Sequence, residues 1–195
     1  MRRGRGRSDR VRLIEVDHVL VAVPDLETAT ELYPESIGGG RHPGWGTANR
    51  IVPLGDTYLE LVTVVDATEA AESAFGRWIA DSDGPCGWAV RTASIDDVAG
   101  RLGLEVGAGS RARPDGTTLR WRVAGVDLAA REPYLPFFIQ WETGSILPGR
   151  AAPAVAQLVG IELEGDPARL DDWLGPHDLP ITIRSGRPAV AFRLG

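Results

Sequence analysis

Three times along the chain, an apolar strand-like run is followed by a capping residue, a short amphipathic stretch and a glycine. The first copy runs Val16 to Val23, with Asp25 as cap, Leu26, Ala29, Leu32 and Tyr33 on one helical face, and Gly38 beyond. The second runs Gly87 to Thr92, then Ser94, an Ile95, Val98, Leu102 stripe, and Gly103. Ser94 with Asp97 three residues on has the spacing of a capping box. The third runs Leu158 to Leu163, then Asp166, Pro167 at the first helical position, a Leu170, Trp173, Leu174 stripe, and Gly175. The three caps stand 69 and 72 residues apart, and such even spacing indicates internal duplication.

Strand-like runs follow each predicted helix. Thr47–Leu54 and Thr57–Val65 flank a Gly55-Asp56 turn, and Thr117–Ala124 and Phe137–Glu142 follow the second helix, with Pro114-Asp115-Gly116 opening the first of them. Ile181–Arg184 and Ala189–Leu194 follow the third. A further helix is predicted over about 67–80, with Ala70, Ala74, Phe75 and Trp78 on one face. The pattern predicts an α+β protein of tandem βαβββ modules with a C-terminal βαββ half module. The expected organisation is a disordered basic leader over 1–12, a first module with its following helix over 13–83, a second module over 84–150, and the half module, packed on the same domain, over 151–195.

Composition narrows the partners. The leader carries six Arg and one Asp, so a net charge of −6 for the chain leaves the rest at about −11. An acidic body argues against a nucleic-acid surface. No run of 18 apolar residues exists, so no membrane span is expected. The leader lacks the apolar segment of a secretory signal. Cys86 is the only cysteine, which excludes an intrachain disulfide, and a cytoplasmic location is expected.

Candidate chemistry concentrates in Arg41-His42-Pro43-Gly44-Trp45-Gly46-Thr47-Ala48-Asn49-Arg50-Ile51 and Tyr58-Leu59-Glu60-Leu61. Glu60 points to the strand face opposite Leu59 and Leu61. A carboxylate inside an apolar strand requires water, a partner such as Arg50, or a metal. His42 is either a turn residue or a binding or acid–base group titrating near physiological pH. Thr47 and Asn49, two apart, either line one strand face or bond their own turn. Trp45, Trp88 and Trp141 are core, rim or a ligand platform. No phosphate loop, nucleophile elbow or HExxH motif occurs.

Asp17-His18-Val19, Val23-Pro24-Asp25-Leu26, Gly40 to Asn49 and Tyr58 to Leu61 together resemble the glyoxalase-like domain proteins of the vicinal oxygen chelate superfamily, which includes glyoxalase I, extradiol dioxygenases and bleomycin-resistance proteins. The resemblance implies a cupped mixed sheet with a divalent metal (Zn, Fe, Mn or Ni) held by one residue from the first and one from the last strand of each module. It carries His18 and Glu60 into the first module's ligand positions and Gln140 into that of the second module's last strand, while Gly87 stands where the remaining ligand belongs. It further implies a small-molecule ligand or substrate. Glu60 and His42 would be catalytic, and Thr47, Asn49, Trp45 and Trp141 would bind substrate. Two functions remain open: a divalent-metal-dependent lyase, isomerase or dioxygenase, or a metal-free protein that binds or sequesters a small molecule. The chain would act as a monomer or homodimer.

Overall fold

The computed structural model describes residues 14–113 and 116–195. The predicted leader and the first two residues of the Pro114-Asp115-Gly116 turn lie outside them.

Eight strands form one mixed sheet in the order β2-β3-β4-β1-β5-β8-β7-β6. The first module supplies β1 (Ile14–Ala22), α1 (Leu26–Leu32), β2 (Ile37–His42), β3 (Thr47–Leu54) and β4 (Thr57–Val64). Two short helices follow, α2 (Ala67–Glu72) and α3 (Ala74–Ala80). The second module contains β5 (Gly84–Thr92), α4 (Ile95–Leu102), β6 (Val106–Ala112), β7 (Thr118–Ala124), α5 (Val126–Arg131) and β8 (Phe137–Trp141). A separate three-stranded sheet, ordered β10-β9-β11, comes from β9 (Leu158–Gly165), α6 (Pro167–Leu174), β10 (Ile181–Ser185) and β11 (Ala189–Leu194).

The two modules join inside one chain, because β1 pairs antiparallel with β5 at the sheet centre. Twist then curls the sheet until its edge strands meet. A Cβ at Gly40 on β2 would lie 2.3 Å from the carbonyl oxygen of Ala112 on β6, at a φ of +151° that side chains rarely adopt. Glycine lets the two edges close to a nearly continuous barrel. The outer face buries Val19, Trp88, Val90 and Phe138 against Ile161, Leu163, Leu170 and Trp173 of the C-terminal unit. Trp173 also donates its indole N–H to Pro136 O at 2.8 Å. The inner face packs Leu20, Ala22, Val62, Ala89 and Phe137 under Phe75, Trp78 and Ile79 of α3. Among the described residues no helix is long and apolar enough to cross a membrane.

Two local expectations are corrected, and two further features lie outside them. The single helix expected over 67–80 is two, because the Ser73 side chain accepts from Gly76 N and starts a new helix. Ser94 makes no side-chain cap. The glycine-rich β2 and β6 pair as strands although their sequences lack the β-branched alternation that announces one. α5 begins at Gly125, whose φ of +86° turns the chain without an oxygen-bearing cap.

Candidate functional site inside the curled sheet

The β1–β5 register slips between Val16 and His18, leaving Asp17 as a bulge. Successive strand residues ordinarily face opposite sides, and the bulge lets Asp17 reach inward beside His18. His18 Nδ1 donates to Asp17 Oδ1 at 2.7 Å, Trp141 Nε1 to Oδ2 at 2.8 Å, and Arg91 to the same oxygen at 3.2 Å. Burial works to raise the Asp17 pKa, but the hydrogen bonds from His18 and Trp141 and the Arg91 charge outweigh it and hold the carboxyl below its usual value. Asp17 is therefore an anion and fixes the His18 proton on Nδ1. The lone pair on Nε2 points inward. Among the described residues it is the one buried side-chain polar atom with no hydrogen bond.

Glu60 faces it from β4, with Oε2 3.3 Å from His18 Nε2. Asn49 on β3 orients the other carboxylate oxygen, donating from Nδ2 to Oε1 at 2.6 Å. The Asn49 amide is itself set by Arg111, whose Nη1 lies 3.4 Å from Oδ1. Its nitrogen then also lies 3.2 Å from His42 Nε2, which accepts, so His42 donates from Nδ1 to Thr47 Oγ1 at 2.9 Å. Burial drives the His42 pKa down to about 4, against the pull of Glu60 and with help from Arg111. The imidazole is neutral at physiological pH, which corrects the expectation of a group titrating there. Tyr58, stacked on His18 at 4.7 Å, keeps its phenol proton because burial and the Asp17 and Glu60 charges push its pKa well up.

His18, His42, Thr47, Asn49 and Glu60 thus converge, with Trp45 and Trp141 in the wall beside Phe75, Trp121, Phe137 and Ile139. The enclosed cavity is about 20 Å³, room for about one water. Arg50 points away and binds Ser36. Trp88 belongs to the outer core. Asp17, Tyr58 and Arg111 are the members that sequence reasoning missed. Asp17 was legible only as the residue before His18, and Arg111 as the one large side chain on the Gly107, Gly109, Arg111 face of β6.

Gln140 is not part of the site. It lies on the outer face of β8, where its Oε1 accepts from Ile95 N at 3.2 Å and its Nε2 donates to Ala93 O at 2.8 Å, serving as the cap that Ser94 does not provide. The register identifies the true counterparts of His18 and Glu60. Leu20 pairs with Glu60 on β4, and Ala89 pairs with Phe137 on β8. Leu20 and Ala89 are 69 residues apart, the same offset as the first two caps, so Phe137 stands at the position of Glu60. The reciprocal pairs His18 with Ala89 and Leu20 with Gly87 place Gly87 at the position of His18. A side chain at Gly87 would meet the Trp78 ring at 2.3 Å.

A divalent ion therefore finds an incomplete set. His18 Nε2 and Glu60 Oε2 have about the separation of two ligands on one tetrahedral ion with bonds of roughly 2.1 Å. A third donor does not follow: the His42 lone pair is engaged by Asn49, and the opposite wall is Phe137 and Ile139. Among the described residues no group of three or more His, Cys, Asp or Glu side chains is arranged to hold a metal. These residues do not supply the three protein ligands usual for a catalytic zinc.

A family model described as a glyoxalase-like domain matches residues 16–176. A search of curated proteins finds no match. A hypothetical protein from Staphylococcus aureus has the same fold, with a TM-score of 0.71 at 15% identity, covering 90% of this chain and 87% of that one. A methylmalonyl-CoA epimerase from Mycobacterium tuberculosis aligns at a TM-score of 0.45 and 19% identity, over 69% of this chain and 92% of its own. A 4-hydroxymandelate synthase variant from Streptomyces coelicolor aligns at 0.44 and 12%, over 82% and 50%.

Proposed function

Because the chain belongs to the glyoxalase-like domain family of the vicinal oxygen chelate superfamily, we propose that it acts on a small molecule by proton transfer at Glu60, without a catalytic metal ion. The observation that carries this reading is the pair of buried acceptors facing each other, His18 Nε2 and Glu60 Oε2 at 3.3 Å, with Gly87 and Phe137 where further ligands would stand. A lone pair against a carboxylate in a nearly dry cavity is repulsive, and one shared proton makes it attractive. Asp17 anchors the far side of the imidazole, so His18 receives or returns a proton only at Nε2. Glu60 is the base, His18 receives its proton, and Asn49 and Arg111 fix the carboxylate. His42 and Thr47 position Asn49 rather than carry protons.

Two measurements test this. Elemental analysis of protein purified without chelator gives well under one divalent ion per chain; a stoichiometric ion that disappears in both His18→Ala and Glu60→Ala would overturn the metal-free reading. In D2O, the protein exchanges the acidic C–H of some members of a panel of small carbonyl acids, and Glu60→Gln abolishes the exchange. Exchange undiminished in Glu60→Gln would remove Glu60 as the base.

A further inference from the structure

Arg111 is a wall shared by two spaces. On one side it lines the Glu60 cavity. On the other it lines a pocket of about 440 Å³ at the β2–β6 seam, together with Ile37, Ile51, Ile146, Arg113 and Arg150. That volume is in the range of small-molecule sites.

The charges in this pocket are poorly answered. Arg150 is paired with Asp56. Arg113 donates to the carbonyl of Ile146. Arg111 is 5% exposed and carries five N–H donors, yet its hydrogen bond is the 3.4 Å contact with Asn49. Among the described residues neither Arg111 nor Arg113 has an ion pair. A buried cation without a counterion is expensive, and burial accordingly draws the Arg111 pKa down against the pull of Tyr58 and Glu60. The chain as a whole is acidic, so these cations are not part of a generally basic surface. Beside them the rim is apolar: Ile146 is 58% exposed.

We propose that the seam pocket binds a small amphipathic acid, its oxyanion head between Arg111 and Arg113 and its apolar body along Ile37, Ile51 and Ile146. The pocket does not depend on the reading of Glu60 as the base. The head displaces little, because the Arg111 guanidinium has donors to spare. It also touches the catalytic carboxylate through two bonds, Arg111 to Asn49 and Asn49 to Glu60. Carboxylate and phosphate heads share this chemistry.

Calorimetric titration of the full chain at low salt with hexanoate, hexyl phosphate and hexanol tests the pocket. At least one acid binds about tenfold or more tightly than hexanol, and the tighter acid identifies the head. Arg113→Gln, at a partly exposed position, weakens the acids about tenfold and leaves hexanol unchanged, while Ile146→Ser weakens all three. Hexanol binding as tightly as both acids, or acid binding unaltered in folded Arg113→Gln, would overturn the proposal. Acid binding retained alongside C–H exchange that survives Glu60→Gln keeps the pocket and removes the base; exchange that depends on Glu60 without acid binding does the reverse.

Discussion

Asp17→Asn removes one negative charge and almost no volume, and it strikes the anchor of the whole site. In the native protein that carboxylate takes three donors, from His18, Trp141 and Arg91, at complete burial. The amide that replaces it accepts at one atom and presents N–H groups at the other, so at least one donor is left facing a donor. Removing one member of a buried charge pair costs about 3–5 kcal/mol. The lower end applies, about 3 kcal/mol, because Arg91 keeps its bond to Glu15 at 2.6 Å. In a chain of this length that corresponds to a melting temperature lower by roughly 6–12 °C. The pH dependence follows from the direction of the shift. The folded Asp17 pKa lies below the ordinary 3.8 of an Asp carboxyl, so the unfolded chain binds more protons between the two values. The stability contributed by the carboxylate is complete above the unfolded pKa and is lost as pH falls through the folded one. Urea denaturation of wild type and Asp17→Asn at about pH 7 and about pH 2.5 measures this: the gap narrows at the lower pH. A variant within about 0.5 kcal/mol of wild type at neutral pH, the scatter of an ordinary surface change, would show that Asp17 does not anchor His18.

His42 and Gly87 carry two further predictions. His42 has a folded pKa of about 4 against 6.5 for the free group, so it contributes stability that is complete above about pH 6.5 and is lost as pH falls towards 4, on the order of 3 kcal/mol. An NMR titration of the ring shows no protonation until the pH is well below 6; a midpoint near 6.5 would mean that the imidazole is solvated. Gly87→Ala places a methyl against Trp78, costing about 1–3 kcal/mol of overpacking. Combining it with Trp78→Leu recovers part of that cost, and purely additive losses in denaturation would deny the contact.

The repeat was legible because caps and glycines punctuate it. Asp25 and Asp166 accept the helix N–H groups expected of them, from Thr28 and from Ala168 and Arg169. The hairpin at Gly55-Asp56 forms with Leu54 opposite Thr57. What escaped were elements whose stability comes from neighbours rather than from their own residues. β2 is Ile-Gly-Gly-Gly-Arg-His, and it is a strand because β3 is beside it and β6 closes on it. β6 reads as a glycine-rich loop for the same reason. Its alternating Gly107, Gly109 and Arg111 matter only once Trp121 fills the space at Gly109, where a Cβ would sit 2.4 Å from the indole nitrogen.

The site divides along a similar line. Asn49 and Glu60 were legible because parity within a strand sets the face and the bounds expected for β3 and β4 lie within a residue of those found, whereas His18, beside a bulge that breaks parity, came only from the resemblance. Gln140 failed on the same rule. It sits three residues beyond Phe137, the true counterpart of Glu60, and an odd offset turns a strand residue to the opposite face. Nothing in the local pattern fixes that offset, because α5 stands between β7 and β8 and breaks the even spacing of the repeat. Only the pairing of Ala89 with Phe137 sets it. The consequence is larger than one misplaced residue. With Gln140 in place, the second module had lost one ligand and kept a weak substitute. With Phe137 there it has lost both, and Gly87 and Phe137 are covered by the ring of Trp78, the latter edge-on at 6.2 Å. Gly87 and Phe137, the counterparts of His18 and Glu60, both lie under the ring of Trp78 and bring no polar group to the second half of the cup, so only the first half sets a nitrogen against a carboxylate, His18 Nε2 and Glu60 Oε2 at 3.3 Å.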